Sequence, residues 1–257
     1  MVGRASFETG VASYGRLVGR YTPALAAAFC DAVGVTADKT ALDVGCGSGA
    51  LLGELAKRLG PAHVAGVDPS EPFLELARLA VPGALLQQAA AEQLPFEDDS
   101  FDVAMSQLVV NFMTDPLGGV SEMRRVAGRV AAGCVWDYAD GMTMLRAFFD
   151  AALELDPDAP DEGRTMPYAS RDALKGLWKA AGLREVTTGQ LVVTADYADF
   201  DDYWLPFPHG PGPSGAYAAS LDDDQRAALG AILFRRLGSP VGSFTLSARA
   251  WFVRGLV

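Results

Sequence analysis

The sequence predicts an α/β fold in which a mostly parallel, seven-stranded sheet has helices on both faces and the last strand runs antiparallel. Short apolar segments alternate with helical patterns along the first half of the 257-residue chain, as is typical of a parallel sheet. The final segment, 242–253, instead alternates apolar and polar residues, which suits an antiparallel or edge strand. The segments 139–169 and 199–239 exceed what the sheet needs. We predict that they are substrate cap or lid insertions within a single domain, 1–257.

The individual elements can be placed in order along the chain. Residues 1–40 have a helical pattern, in which Pro23 suits the first turn of a second helix. Strands are predicted at about 40–45, 63–67, 84–89, 101–106, 129–137, 184–195 and 242–253. Helices are predicted at about 49–60, 116–126, 171–182 and 222–237, and another begins after Ser70, a residue type that favours the N-cap position.

A glycine-rich turn after the first predicted strand is the most informative feature of the chain. Gly45, Gly47 and Gly49 form the pattern D-x-G-x-G-x-G together with Asp43. Glycine suits such a turn because its backbone adopts conformations that a Cβ disfavours and can approach a ligand closely. Asp68 ends the second predicted strand, where a carboxylate can accept hydrogen bonds from both hydroxyls of a ribose. The first half of the chain is therefore predicted to bind a nucleoside.

The glycines alone leave two kinds of nucleoside site open. Gly45, Gly47 and Ala50 also satisfy the G-x-G-x-x-G/A pattern of dinucleotide-binding proteins, so an NAD(P)-dependent oxidoreductase is one alternative. Two features favour a different cofactor. Asp43 lies two residues before the first glycine, where it could fix the turn or reach a cationic group, and a third glycine falls at position 49.

Three segments carry a resemblance to a known family. The turn Asp43–Gly49 resembles motif I of the class I S-adenosylmethionine-dependent methyltransferases. The segment 90–103 resembles the motif after the third strand in the branch that includes the ubiquinone/menaquinone-biosynthesis C-methyltransferases. The N-terminal segment Tyr14–Tyr21 is similar to one that precedes motif I in these enzymes. The resemblance spans about residues 10–137. It implies a Rossmann-like fold, S-adenosylmethionine as cofactor and S-adenosylhomocysteine as product.

The resemblance also implies which residues contact the cofactor. Tyr14 and Arg20 are expected at the methionine end, with Arg20 paired to its carboxylate. The alternative for Arg20 is a solvated arginine on a packing helix. The backbone N–H of Ala91 is expected to serve the adenine ring. The acid that commonly binds the exocyclic amine is replaced by Ala90, so that contact is either missing or supplied by Glu92. The predicted cofactor-binding residues are Tyr14, Arg20, Asp43, Gly45, Cys46, Gly47, Gly49, Asp68, Pro69, Ala91, Glu92 and Gln107.

The acceptor and the catalytic groups are less well defined by the sequence. In open α/β sheets the ligand lies outside the carboxyl ends of the strands, which nominates residues after the fourth and fifth predicted strands. The predicted substrate pocket comprises Asn111, Phe112, Trp136, Tyr138, Tyr203, Trp204, Phe207 and Tyr217. The last four could equally form the small core of the cap.

Candidates for proton transfer are His209, Tyr138 and Asp137. Histidine is a residue type that commonly transfers protons, but the alternative for His209 is an exposed loop histidine. Tyr138 and Asp137 could instead be core residues or hydrogen-bond anchors. Cys46 is considered as a nucleophile, with the alternative that a small residue fills a tight turn.

Composition excludes several other classes. The net charge is −11, and no basic cluster follows a phosphate backbone, so a nucleic-acid partner is not expected. Three cysteines without a C-x-x-C pair argue against a disulfide framework and against a metal site. No segment has the length and apolarity of a membrane span, and no signal peptide is recognisable, so a cytoplasmic location is expected. A homodimer is one option for the oligomeric state.

The predicted function is methyl transfer from S-adenosylmethionine to a small, largely apolar metabolite by in-line displacement. The sequence leaves one further alternative, a non-methylating descendant that keeps the cofactor as a structural or electrostatic element. Methyl transfer and the non-methylating alternative require the same cofactor, S-adenosylmethionine, whereas the oxidoreductase alternative requires NAD(P).

Overall fold

The seven-stranded sheet is the framework of the chain in the computed structural model, which describes residues 15–210 and 212–257. Over those residues the strand order is β3-β2-β1-β4-β5-β7-β6. The strands are β1 Ala41–Val44, β2 Val64–Asp68, β3 Leu85–Gln88, β4 Phe101–Gln107, β5 Ala127–Trp136, β6 Arg184–Tyr197 and β7 Phe244–Leu256.

The first five strands are parallel. β1 pairs with β2 and β4, β2 pairs with β3, and β4 pairs with β5, all in the same direction. Every residue of β1 and β2 is buried, which explains why both read as short apolar runs without alternation. The carboxyl ends of these five strands therefore meet at one edge of the sheet, and the predicted ligand-binding residues follow them.

The last strand, β7, has the predicted direction and an internal position in the sheet. β7 runs antiparallel to β5, as predicted. It lies between β5 and β6, so of the two options predicted for it, the antiparallel strand is confirmed and the edge strand is not. Alternation of apolar and polar residues reports which face a side chain occupies. It does not report whether a strand has hydrogen-bonded neighbours on both sides.

The helices begin and end close to the predicted positions. Pro23 lies in the first turn of its helix, as expected. The helix predicted at 116–126 has those bounds, with Pro116 at its start and the Asp115 side chain accepting a hydrogen bond from the Gly118 N–H, 3.0 Å away. The helices are α1 Thr22–Val33, α2 Ala50–Leu59, α3 Glu71–Ala80, α4 Pro116–Val126, α5 Thr143–Leu155, α6 Glu162–Thr165, α7 Arg171–Ala180, α8 Phe200–Trp204, α9 Gly212–Ser220 and α10 Asp223–Arg236.

The chain divides into two compact units. The first, called the sheet unit, comprises 23–136, 167–191 and 250–257. Its apolar core includes Leu42, Val67 and Trp178, and the indole N–H of Trp178 donates to the Ala131 carbonyl at 2.9 Å.

The second unit, called the insertion unit, comprises 1–22, 137–166 and 192–249. It contains most of the two predicted insertions and has its own aromatic core, in which the rings of Phe148 and Phe207 stack at 4.5 Å. The prediction that the insertions cap a site within a single domain stays a prediction. None of the helices in the described ranges is long and apolar enough to cross a membrane.

Candidate functional site

The glycine turn closes tightly on the carboxyl end of β1. The N–H groups of Gly45 and Cys46 both donate to the Val67 carbonyl on β2, at 2.8 and 2.9 Å. Gly45 has φ +75°, and a Cβ there would lie 2.5 Å from the side chain of Val109. Gly47 has φ +52°, but a Cβ there would meet no atom within 4 Å. Packing therefore requires a glycine at position 45, whereas Gly47 faces open space.

Asp68 organises the backbone at the end of β2. Its side chain is nearly buried, and its two oxygens each accept one backbone hydrogen bond. Oδ2 accepts from Gly47 N and Oδ1 from Ser70 N, both at 2.9 Å. A carboxylate has about four acceptor sites, so both oxygens keep capacity for ligand hydroxyls. Ser70 occupies the N-cap position of α3, but its side chain makes no capping hydrogen bond, which corrects that expectation.

Asp43 is a buried carboxyl group beneath the glycine turn. Its side chain is only 1% exposed, and neither oxygen has a hydrogen-bond partner of good geometry. Burial raises the pKa of Asp43 to about 8, and the nearby charge of Asp68 adds to this effect. The N–H of Leu52 in the first turn of α2 offsets only part of it. Asp43 is therefore an orphaned polar group placed directly under the turn.

Cys46 fills the turn and is not arranged as a nucleophile. Its sulfur packs against Gly66, where a Cβ would lie 3.0 Å from Sγ. The side chain is 6% exposed, and burial raises the pKa of its thiol. Since the thiolate is the reactive form, these observations support the turn-filling interpretation.

A cavity opens beside the turn at the carboxyl ends of the parallel strands. Its volume is about 480 Å³, within the range of small-molecule sites. Several predicted cofactor residues line it, and Phe112, assigned above to the substrate pocket, lines the same cavity. The lining residues are Gly45, Asp68, Pro69, Ser70, Phe73, Ala89, Ala90, Ala91, Glu92, Val109, Phe112, Met113 and Thr114.

One wall of the cavity is fixed by hydrogen bonds to α4. Oε1 of Glu92 accepts from the N–H groups of Thr114 and Asp115, at 2.9 and 3.1 Å. Further along the same loop, the guanidinium of Arg125 donates to the Phe96 carbonyl at 2.7 Å. The loop after β3 is therefore held against the start and the last turn of α4.

The segment after β4 also lines the cavity. Leu108 has φ +64°, a left-handed conformation that is strained for a residue with a Cβ, and its N–H donates to the Cys134 carbonyl at 2.8 Å. A single 3₁₀ turn, Val110–Phe112, follows. It leaves Phe112 65% exposed and buries Asn111. Gln107 is at the end of β4 and does not line the cavity.

Several other predicted residues lie in the insertion unit and have partners there. The guanidinium of Arg20 forms a two-pronged ion pair with Asp202, at 3.0 and 3.1 Å, and lies over the Tyr197 ring at 4.1 Å. Asp137 is buried and accepts two hydrogen bonds from Arg249, at 2.5 and 2.8 Å. Arg20 and Asp137 thus each have an ion-pair partner within the insertion unit, and their roles at the cofactor and in proton transfer stay predictions. Tyr14 lies outside the described residues.

The predicted aromatic set belongs to the core of the insertion unit. Tyr203 and Phe207 are fully buried, and the Tyr203 hydroxyl donates to the Met144 carbonyl at 2.9 Å. Tyr217 packs edge-on against Phe148, and Trp204 is tilted against Phe207. Their placement favours the core alternative, and their role in acceptor binding stays a prediction.

The remaining candidates differ in their exposure. Trp136 ends β5 and Tyr138 follows it, and both are buried. His209 is exposed in a single 3₁₀ turn. Trp136 lies in the sheet unit and is not among the residues that line the 480 Å³ cavity, whereas Tyr138 and His209 belong to the insertion unit and their roles stay predictions.

Sequence reasoning missed Glu162. This residue is 7% exposed, and burial raises its pKa to about 7, with Asp161 adding to the shift. Asp161 itself is paired with Arg146 at 2.8 Å. Glu162 lies in a Pro/Asp-rich stretch that reads as a surface loop, so no local pattern signals its burial.

The charge of the cavity distinguishes between the two cofactors considered above, NAD(P) and S-adenosylmethionine. The lining residues within the described chain include two carboxylates, Asp68 and Glu92, and no Lys, Arg or His. Asp43 adds a third acidic group beneath the turn. Such surroundings suit a cationic ligand better than a dinucleotide pyrophosphate. Within the described residues, no group of three or more His, Cys, Asp or Glu side chains is arranged to hold a metal ion.

Comparisons with known proteins agree with this geometry. The family profile for a methyltransferase domain matches residues 42–129. The chain is 32% identical to a demethylmenaquinone methyltransferase of Roseiflexus castenholzii over 168 residues, which cover 57% of this chain and 68% of that protein. It is 33% identical to a ubiquinone/menaquinone biosynthesis C-methyltransferase of Citrifermentans bemidjiense, over 37% of this chain and 43% of that protein. Across the curated relatives, the matched part spans between 32% and 68% of their length.

A solved structure has a similar fold. It is an S-adenosylmethionine-dependent methyltransferase from Thermotoga maritima, with a TM-score of 0.56, 20% identity and 98% coverage of both chains. The seven-stranded, mostly parallel sheet is thus that of Rossmann-like methyltransferases. The chain belongs to the class I S-adenosylmethionine-dependent methyltransferases.

Proposed function

We propose that this protein transfers the methyl group of S-adenosylmethionine to a small, largely apolar metabolite. The observation that carries the proposal is the acidic cavity at the carboxyl ends of β1 and β2, lined by the glycine turn and by Asp68. Two relatives support an apolar acceptor. One is named a demethylmenaquinone methyltransferase and the other a ubiquinone/menaquinone biosynthesis C-methyltransferase.

The residues of the cavity fit this cofactor. The space over Gly47 admits a ligand chain close to the backbone, and Asp68 keeps acceptor capacity for ribose hydroxyls. Phe73, Val109 and Met113 provide apolar surface for a purine base. Asp43, whose oxygens have no hydrogen-bond partner of good geometry, supplies a latent negative charge beneath the turn.

The chain's own contribution to the reaction is mainly alignment. When bound, S-adenosylmethionine would supply a methyl group on a sulfonium; transfer would form the bond from the acceptor atom to that carbon and leave the carbon–sulfur electron pair on sulfur. Asp68 and the glycine turn fix the nucleoside, and correct alignment can contribute several kcal/mol to rate. An oxygen or carbon acceptor must also lose a proton, and the roles of His209, Tyr138 and Asp137 in that step stay predictions.

The first test is ligand binding to the wild-type chain and to Asp68→Asn. S-adenosylhomocysteine at about 100 times its Kd should stabilise the wild type by about 2.7 kcal/mol, a shift of a few degrees in Tm, whereas NAD(H) should give none. Asparagine loses the charge and keeps one acceptor oxygen, so either the Gly47 N–H or the Ser70 N–H also loses its acceptor. We expect Asp68→Asn to weaken binding about 10- to 100-fold, because hydrogen bonds to a charged group contribute about 1.5–3 kcal/mol.

Asp102→Asn is the matched control. Asp102 also accepts a backbone hydrogen bond, from Thr40 N at 2.9 Å, but it lies at the amino end of β4. We expect this variant to bind S-adenosylhomocysteine as the wild type does. Equal loss of affinity in the two variants, or a shift with NAD(H) alone, would contradict the site assignment. Binding without transfer of labelled methyl groups to any apolar quinol or phenol would favour the non-methylating alternative.

A further inference from the structure

Glu162 is a buried carboxyl group of the insertion unit that has no part in the cofactor site. It begins the short helix α6, and within the described residues no hydrogen bond or ion pair engages its carboxylate. The neighbouring acid differs, because Asp161 accepts from Arg146 at 2.8 Å and lies 3.3 Å from Arg164. Both arginines are therefore paired with Asp161, and Glu162 has no cationic partner in this part of the chain.

The carboxylate of Glu162 is accessible from the side of Gly212. A Cβ at Gly212 would lie 4.0 Å from Oε1 of Glu162 and, outside its own helix, would meet no other atom of the described chain within 4 Å. Gly212 begins α9 and is exposed, and the range of α9 includes no charged side chain. A hydroxyl group of a ligand can therefore approach Oε1 there without meeting a competing charge.

Helix α6 packs against the segment that follows β5. A Cβ at Gly163 would lie 2.8 Å from the Tyr138 carbonyl, so this close packing requires glycine. Tyr138 is the second residue after Trp136, which ends β5. In open α/β sheets, ligands bind where the chain leaves the carboxyl ends of the strands. Glu162 therefore lies next to a segment at which an acceptor is expected.

The ionisation of Glu162 suits proton transfer at neutral pH. Burial raises its pKa to about 7, and the charge of Asp161 adds to the shift. A general base is most effective when its pKa lies near the working pH. Asp137, by contrast, already has an ion-pair partner in Arg249, and His209 is exposed in a turn. Among the acids and histidines considered for this step, Glu162 thus combines burial with an unpaired carboxylate.

We propose that the acceptor is a phenol or quinol and that the Glu162 carboxylate removes the proton of its hydroxyl group. This proposal rests on the proposed function, since it names the acceptor class and the base of the same reaction. The proton moves to a carboxylate oxygen of Glu162, and the electron pair of the O–H bond stays on the acceptor oxygen. The methyl group then bonds to that oxygen or to a ring carbon conjugated with it. One proton passes to solvent for each methyl group transferred.

The experiment follows transfer of labelled methyl groups from S-adenosylmethionine to two naphthols between about pH 6 and pH 9. The ordinary phenol is 1-naphthol, whereas 4-nitro-1-naphthol is already ionised at neutral pH. With 1-naphthol we expect the wild-type kcat/KM to rise up to about pH 7 and then to level off, because Glu162 ionises there. A wild-type rate that rises about tenfold per pH unit throughout overturns the proposal, because ionisation of the naphthol in solution then suffices.

Glu162→Gln separates a catalytic role from a structural one. With 1-naphthol at about pH 7 we expect the variant to be at least about 100-fold slower than the wild type and to lose the plateau. With 4-nitro-1-naphthol, which needs no base, the variant should match or exceed the wild type. An equal loss with both naphthols in a folded variant, or no loss with either, overturns the proposal. If the variant does not fold, the wild-type pH profile alone decides.

Glu154→Gln is the matched control. Glu154 is a carboxylate on α5 of the same unit, but it is partly exposed and paired with Arg235 and Arg236. We expect this variant to keep the wild-type profile with both naphthols, and a loss equal to that of Glu162→Gln would contradict a specific role of Glu162. If S-adenosylhomocysteine does not raise the Tm of the wild type, the proposed function fails. If it does but neither naphthol is methylated, the acceptor class and the role of Glu162 fail while the cofactor assignment stands.

Discussion

At the scale of single residues, Asp43 shows a conflict between stability and ligand binding. It is almost fully buried without a good hydrogen-bond partner, and such a group costs about 1–3 kcal/mol of folding free energy. Groups whose pKa is strongly perturbed by burial are concentrated at functional sites. The neighbouring Asp68 accepts from the glycine turn and is satisfied. The unsatisfied group is therefore the one placed to gain a partner when a cationic ligand arrives.

The pKa of Asp43 gives a testable pH dependence. In the folded chain it is raised to about 8, whereas the unfolded value is near 4. Between these values the unfolded chain is ionised and the folded chain holds the proton, so folding takes up a proton. The free energy of unfolding must then fall as pH rises through this window.

We expect Asp43→Asn to remove this fall in the free energy of unfolding with rising pH. The variant should exceed the wild type in stability by about 1–3 kcal/mol at pH 8, with a smaller difference at pH 5. It should also bind S-adenosylhomocysteine about 10-fold more weakly, since the latent charge is gone. Urea unfolding at the two pH values and calorimetric titration measure the two effects. The same pH dependence in both proteins would contradict the assignment.

At the scale of elements, the cavity wall depends on contacts between the loop after β3 and helix α4. Oε2 of Glu122 accepts from Leu94 N at 2.9 Å, and Arg125 bonds both to Glu122 and to the loop. Its Nη2 donates to the Leu94 carbonyl at 3.1 Å and its Nη1 to Asp98 at 2.9 Å. A guanidinium can make these bonds together because its donors are fixed in one plane.

Replacement of Arg125 should therefore loosen the wall. We expect Arg125→Lys to destabilise the chain by about 1–3 kcal/mol, because lysine has one flexible ammonium in place of the planar group. Affinity for S-adenosylhomocysteine should fall several-fold. Arg124→Lys is the control, since Arg124 is exposed on the same helix and makes no hydrogen bond among the described residues. Equal effects of the two substitutions would show that the loop contacts are unimportant.

The elements themselves were largely predictable from the sequence. The strands β1, β2 and β4 and the helix α4 lie within one or two residues of their predicted bounds, because burial and turn residues leave local patterns. The position of β7 between β5 and β6 was not predicted. Strand order depends on which chain segments meet, and alternation within one segment carries no information about that.

At the scale of the whole molecule, a bound ligand should slow amide hydrogen exchange along one edge of the sheet. The residues that line the cavity come from four separate segments, all after the carboxyl ends of parallel strands. Such a site has a characteristic pattern in hydrogen exchange, because ligand contact and reduced local opening slow exchange at all four segments together.

We expect S-adenosylhomocysteine to slow amide exchange at 45–49, 68–70, 89–92 and 109–114. The turn at 61–63, which precedes the amino end of β2, is the internal control and should exchange at an unchanged rate. Protection centred on that turn would place the ligand at the wrong end of the sheet. Mass-spectrometric exchange with and without ligand measures both regions in one experiment.

The sequence by itself determined the strand–turn–helix unit, the glycine positions and the acid that ends β2, since these are features of neighbouring residues. Only the tertiary structure decided which charged groups have partners. Asp137 pairs with Arg249 across 112 residues of chain, and Arg20 with Asp202 across 182. Glu92 is anchored by donors 22 and 23 residues away. Pairings between distant residues depend on where the packed elements bring their side chains, and local propensity carries no record of that.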